Sequence, residues 1–180
     1  MRFDGPSAAK VQTDNWLITQ CRSIEAAGTR LTEVVGEANS RVEQERAGEL
    51  GRRQRVTESQ LREAEAACAA LHETQVAVQN ALFDCEHELR ALREREISPA
   101  ELLIDGERLI LQYRFFRRRA RILDGLLAYL PLVNSHAVSC LEGLRALKDG
   151  GMLDVPLTVP DCGFALVALD QLDQESVPAG

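Results

Sequence analysis

Apolar or small residues fall at Leu17, Cys21, Ile24, Gly28, Leu31, Val35, Ala38 and Val42, in steps that alternate between four and three, with mostly polar residues between them. That spacing is a coiled-coil seam, because it returns a side chain to the same helix flank about every 3.5 residues. A second seam runs through Leu61, Ala64, Cys68, Leu71, Gln75, Val78, Leu82, Cys85, Leu89 and Leu92, with Glu, Gln, Arg and His outside it. Gln75 is its one polar member. A polar residue at such a position either fixes the register of the pairing or is tolerated near an exposed surface.

Between the seams, from Glu43 to Gln60, the apolar spacing lapses and the phase does not carry through. Two arrangements fit. In one, Gly48 and Gly51 make a turn and the seams fold back on each other as an antiparallel hairpin. In the other, the Glu/Arg/Gln-rich stretch continues the helix through a stutter, giving a rod of roughly 120 Å from Asp14 to Glu96. High helix propensity on both sides and the lack of an intervening proline tip the reading toward the rod.

The stretch "ISPAELL" is the clearest boundary. Ser98 can cap a helix, Pro99 suits its first position and Glu101 stands where a capping box needs a carboxylate. The helix it opens carries a seam at Leu102, Gly106, Leu109, Tyr113, Phe116, Ala120, Leu123, Leu127 and Leu130. Leu103, Ile110, Phe115, Ile122 and Leu126 broaden that stripe, which predicts burial by more than one neighbour. Pro131 interrupts or kinks the chain, and Val133, Ala137, Cys140, Leu144 and Leu147 mark a shorter helix closed by Lys148 and the Gly150–Gly151 pair. The rest carries prolines and acidic residues without lysine or arginine, and its apolar pieces at 155–159 and 164–169 can dock as extended or short helical segments. The expected fold is all-α: a flexible leader (1–12), a long coiled-coil segment (13–97), a shorter helical segment (98–149) and an irregular acidic tail (150–180).

Composition supports an elongated helical protein: 27% of residues are charged and only 4% aromatic. The formal net charge of −7 argues against general coating of nucleic acid, although a local basic stripe can still act. Five cysteines without a C-x-x-C pair indicate neither a disulfide framework nor a zinc ribbon. The N-terminus lacks the apolar run of a signal peptide, and no run reaches the roughly 20 apolar residues that span a bilayer. The expected setting is reducing, cytosolic or nuclear.

Candidate chemistry is sparse. The sequence holds no phosphate-cradling G-x-x-x-x-G-K, dinucleotide G-x-G-x-x-G or G-x-S-x-G elbow. Cys85 and His87, two apart on a helix, point to different faces. His136 and Cys140 share a face but lack two further metal ligands. No catalytic residue, cofactor or metal is expected. The strongest charged feature is "YRFFRRRARIL", in which Arg114, Arg118 and Arg121 lie on the face away from the seam while Arg117 and Arg119 flank it. Such a stripe is either a solvated face paired with neighbouring carboxylates or a docking face for an acidic protein surface, such as tubulin, through bidentate contacts.

Trp16, "RAGEL" at Arg46–Leu50 and "LHETQVAVQNAL" at Leu71–Leu82 resemble tektins, filament proteins inside ciliary doublet microtubules. The resemblance covers roughly the first half of the chain and lacks the family's signature nonapeptide. It implies a cytoskeletal setting. The functional expectation is therefore a non-enzymatic coiled-coil scaffold subunit of a hetero-oligomeric assembly, of axonemal microtubule or kinetochore type. Partners would pack on the seams at Leu17, Ile24, Leu31, Leu61, Leu71, Leu82, Leu89 and Leu92, with Arg114, Arg117, Arg118 and Arg121 as a second contact. The alternative is an adaptor or tether whose arginine face binds anionic membrane or nucleic acid.

Overall fold

The computed structural model describes residues 6–174, with side chains from Asp14 to Leu172, and over that span the chain is all-α with no strand. Five helices follow in order: α1 (Pro6–Arg46), α2 (Glu58–Glu94), α3 (Pro99–Leu127), α4 (Leu130–Lys148) and α5 (Gly163–Gln174). The leader expected over 1–12 is helical from Pro6. Residues 1–5, and 175–180 of the expected tail, lie outside the described residues.

The chain takes the hairpin and not the rod. α1 stops because Gly48 adopts φ +79°, a left-handed conformation that costs a residue with a side chain about 1–2 kcal/mol. The Gly48 and Glu49 amides donate back to the carbonyls of Glu45 and Gln44, each at 2.9 Å. After a short 3-10 turn (Arg52–Gln54), Thr57 starts α2 with a capping box: its hydroxyl accepts from the Gln60 amide at 3.2 Å, and Gln60 Oε1 accepts from the Thr57 amide at 3.0 Å. A left-handed stop followed by a strong start outweighs the helix propensity of the residues around them.

The fold-back sets the two seams against each other within one chain. Leu17, Cys21, Ile24, Leu31, Val35 and Ala38 of α1 and Leu61, Ala64, Leu71, Val78, Cys85 and Leu89 of α2 are buried. Leu82 and Leu92 are half-buried. α2 also buries Gln60, Ala67, Thr74 and Ala81, a stripe wider than one seam: Gln60 and Thr74 bond to Glu37 and Ser23 of α1, while the other flank of α2 meets α3 and α4. Those two helices lie in succession along α2. Asn134, Arg145 and Lys148 of α4 contact Leu71, Glu65 and Glu58 of α2, so α4 runs antiparallel to it.

At the α2–α3 corner, Ser98 Oγ accepts from the Glu101 amide at 3.2 Å and Pro99 occupies the first turn. The Glu101 carboxylate does not close a capping box; it pairs with Arg95 across the corner. The broad α3 stripe divides along its length. Ile122, Leu123 and Leu126 are buried, whereas Leu102, Leu103 and Ile110, expected in the core, are exposed. The reason is the order of neighbours: α5 packs against α1 and the latter part of α3, and the first turns of α3 lean on α2 alone.

The tail is not irregular throughout. After Gly150 (φ +87°) ends α4, residues 152–162 form an extended strap that leads into α5. Asn39 of α1 holds the strap by both polar atoms of its amide, donating to the Leu157 carbonyl at 2.9 Å and accepting from the Leu157 amide at 3.2 Å. Glycines make room for it. A Cβ on Gly143 would lie 2.4 Å from Leu157 Cδ2, and one on Gly28 would lie 2.9 Å from Cys162 Sγ. α5 then buries Ala165, Ala168 and Leu172, and Phe164 stacks on Tyr129 at 5.3 Å. Three small or apolar positions on one face suffice to seat this helix despite its aspartates. At the opposite end Arg55, only 4% exposed, binds Glu45 and the Gly151 carbonyl, joining the α1–α2 turn to the start of the strap.

Candidate functional site

The outer face of the first half of α3 is the most unusual surface. Leu103 and Ile104 are 88% and 82% exposed, and Ile110 and Leu111 are at least half exposed. At 100° per residue, Leu103, Ile104, Glu107, Ile110, Leu111 and Arg114 share an arc of about 120°. Fully burying one such aliphatic side chain is worth about 1.5–3 kcal/mol, a gain this face forgoes in the isolated chain. A contiguous apolar patch of this kind marks an interaction surface more often than chance.

The arginine stripe does not stay together. Arg114, Arg117 and Arg121 are exposed along a cleft of about 670 Å³ between α2 and α3, which Arg118, Glu86 and Asp124 also border. Arg118, expected on the face away from the core, turns toward α1: its Nη1 lies 3.4 Å from Asp14 Oδ1, and both side chains are less than one-fifth exposed. Arg119 lies over the Trp16 ring at 5.4 Å. The cause is α1, which runs beside α3 at this level and draws in the two arginines within its reach. Further along, Arg93 of α2 donates to the Tyr113 hydroxyl at 3.2 Å and holds that phenol below its ordinary range.

The other candidates fall to packing. Cys85 is buried, burial pushes its thiol up, and His87 is exposed. Burial likewise raises Cys21, to about 11, and Cys68, Cys140 and Cys162 by lesser amounts; all five are free thiols. His136 Nε2 and Cys140 Sγ share a neighbour in the strap, Thr158: the first lies 3.2 Å from its hydroxyl, and the second donates to its carbonyl at 2.8 Å. Among the described residues no group of three or more His, Cys, Asp or Glu is placed to hold a metal ion. An apolar groove of about 660 Å³ lies between α3, α4 and α5, walled by Leu126, Tyr129 and Phe164.

Sequence reasoning missed the exposed α3 face, yet a signal was present. Leu102, Leu103 and Ile104 are consecutive, and three successive residues sweep about 200° of helix, too wide for one seam. Of the named seam residues, Leu17, Ile24, Leu31, Leu61 and Leu71 lie in the core of this chain's own bundle and Leu82 packs against it, while Leu89 is buried and Leu92 half-buried outside that cluster. No described helix is long and apolar enough to cross a membrane. No protein-family model, curated protein or solved structure matches the chain.

Proposed function

We propose that this protein is a non-enzymatic scaffold subunit that joins a larger protein assembly by helix–helix packing. The observation that carries the reading is the outer face of α3, where four large aliphatic side chains at least half exposed stand beside exposed arginines. The hairpin uses the α1 and α2 seams internally, so α3 and not the seams is the surface offered. Arg117, beside the cleft, suits an acidic protein surface of the tubulin kind, since a guanidinium binds carboxylates in a bidentate fork. The setting we propose is cytoplasmic and cytoskeletal, of axonemal microtubule or kinetochore type, and its support is the sequence segments that resemble tektins.

The test is a photo-crosslinking residue placed at Ile110 in the native cell. Crosslinks to a defined set of protein subunits, lost when Leu103 is changed to Glu, are expected. Absence of protein crosslinks, together with binding of the purified chain to anionic vesicles or nucleic acid that falls steeply with salt, would overturn the reading in favour of a membrane or nucleic-acid tether.

A further inference from the structure

The outer face of α3 has an internal order: acidic at Glu107, apolar at Ile110 and Leu111, basic at Arg114. All four side chains are exposed and lie within an arc of about 100°. The neighbouring charges are already engaged, Asp105 with Arg108 at 3.6 Å and Glu101 with Arg95, whereas neither Glu107 nor Arg114 forms an ion pair among the described residues. Read backwards, acid–apolar–apolar–base becomes base–apolar–apolar–acid, which is its own complement. Self-complementarity about a two-fold axis is what an interface between identical chains requires.

We propose that this face receives a second copy of the chain, with the two α3 helices antiparallel and crossing between Ile110 and Leu111. Each Ile110 meets the partner's Leu111, and each Glu107 faces the partner's Arg114, so the arrangement forms two equivalent ion pairs flanking an apolar centre. Leu103 and Ile104 lie outside that centre, against the aliphatic stem of the partner's Arg117. A parallel arrangement would oppose Glu107 to Glu107. A purely acidic partner helix would bring carboxylates onto Glu107 at the middle of the patch, so a second copy fits the charge order better. One pair of helix faces is a small interface, and the expected association is weak, on the order of micromolar.

The proposal rests on the reading of α3 as a docking face, and the experiment separates the two. Molar mass is measured by sedimentation and light scattering over a concentration series of the full chain, with helix content and melting checked for every variant. Wild type is expected to show a reversible monomer–dimer equilibrium, and Ile110→Glu to remain monomeric with its fold intact, since exposed substitutions rarely unfold a chain. Glu107→Arg and Arg114→Glu should each weaken the dimer at least tenfold, and the two combined in one chain should restore it. A wild-type protein that stays monomeric at high concentration overturns the second-copy proposal while leaving crosslinks from Ile110 to other proteins as the measure of the docking face. A dimer that survives Ile110→Glu, or a double reversal no better than the single ones, also overturns it.

Discussion

Asn134 Nδ2 on α4 donates to Gln75 Oε1 on α2 at 2.6 Å, and the same nitrogen lies 3.2 Å from the carbonyl oxygens of Leu71 and Leu130. The polar member of the second seam thus meets a polar member of the helix opposite, at one axial level. Gln75→Leu or Asn134→Leu alone should cost about 1–2 kcal/mol in urea unfolding, because the remaining amide loses a partner while still half-buried. Replacing both with leucine should recover most of that loss. A double variant as unstable as the sum of the single ones would show that the pair does not act as a unit.

Arg55 holds the Glu45 carboxyl below its ordinary value of 4.5 by hydrogen bonding, and Lys148 does the same for Glu58. A carboxyl whose folded pKa is depressed stabilises the fold above its unfolded value, and that contribution is lost as pH falls through the folded one. Stability should therefore decline from about pH 5 downward. Glu45→Gln should be less stable at pH 7 and show a shallower decline. Equal slopes in the two proteins would remove Glu45 from the account.

Gly143 stands where the strap crosses α4. Alanine there gains up to about 1 kcal/mol of helix propensity but drives its Cβ into Leu157. Gly143→Ala should speed hydrogen exchange of the Leu157 amide, which Asn39 otherwise holds. In a Leu157→Ala background the same substitution should be stabilising. If it destabilises both backgrounds equally, contact with Leu157 is not the cause.

The arginines should respond unequally to charge reversal. Arg118→Glu opposes a carboxylate to Asp14 at a largely buried site and should cost about 1–3 kcal/mol. Arg117→Glu, exposed beside the cleft, should change stability by no more than about half a kcal/mol. Equal effects would mean that the stripe is one solvated face after all.

These contrasts mark where the sequence could be read and where it could not. Ser98 and Pro99 announce α3 because cap chemistry is local, and the seams at Leu17–Val42 and Leu61–Leu92 announce helices because periodicity is local. Partner choice is not local. A seam says that a flank is buried and is silent on what buries it, so the seams fit rod and hairpin alike, and the left-handed Gly48 acting together with the Thr57–Gln60 box decides for the hairpin. The T-x-x-Q pattern from Thr57 to Gln60 encodes the start of α2 locally. The arginines divide between Asp14, Trp16 and the cleft because of where α1 lies, more than 90 residues earlier in the chain, and no spacing within "YRFFRRRARIL" encodes that.

The placement of α3 and α4 end to end along α2 also sets an order in time. The first half of α2 leaves the ribosome early, yet the flank that carries Leu71 and Gln75 is covered by α4, completed at Lys148. At about 5–20 residues per second, that flank waits on the order of ten seconds for its cover, while α1 and then α3 are already available to pair. During synthesis the early half of α2 is therefore the part of the nascent chain most open to a wrong helix.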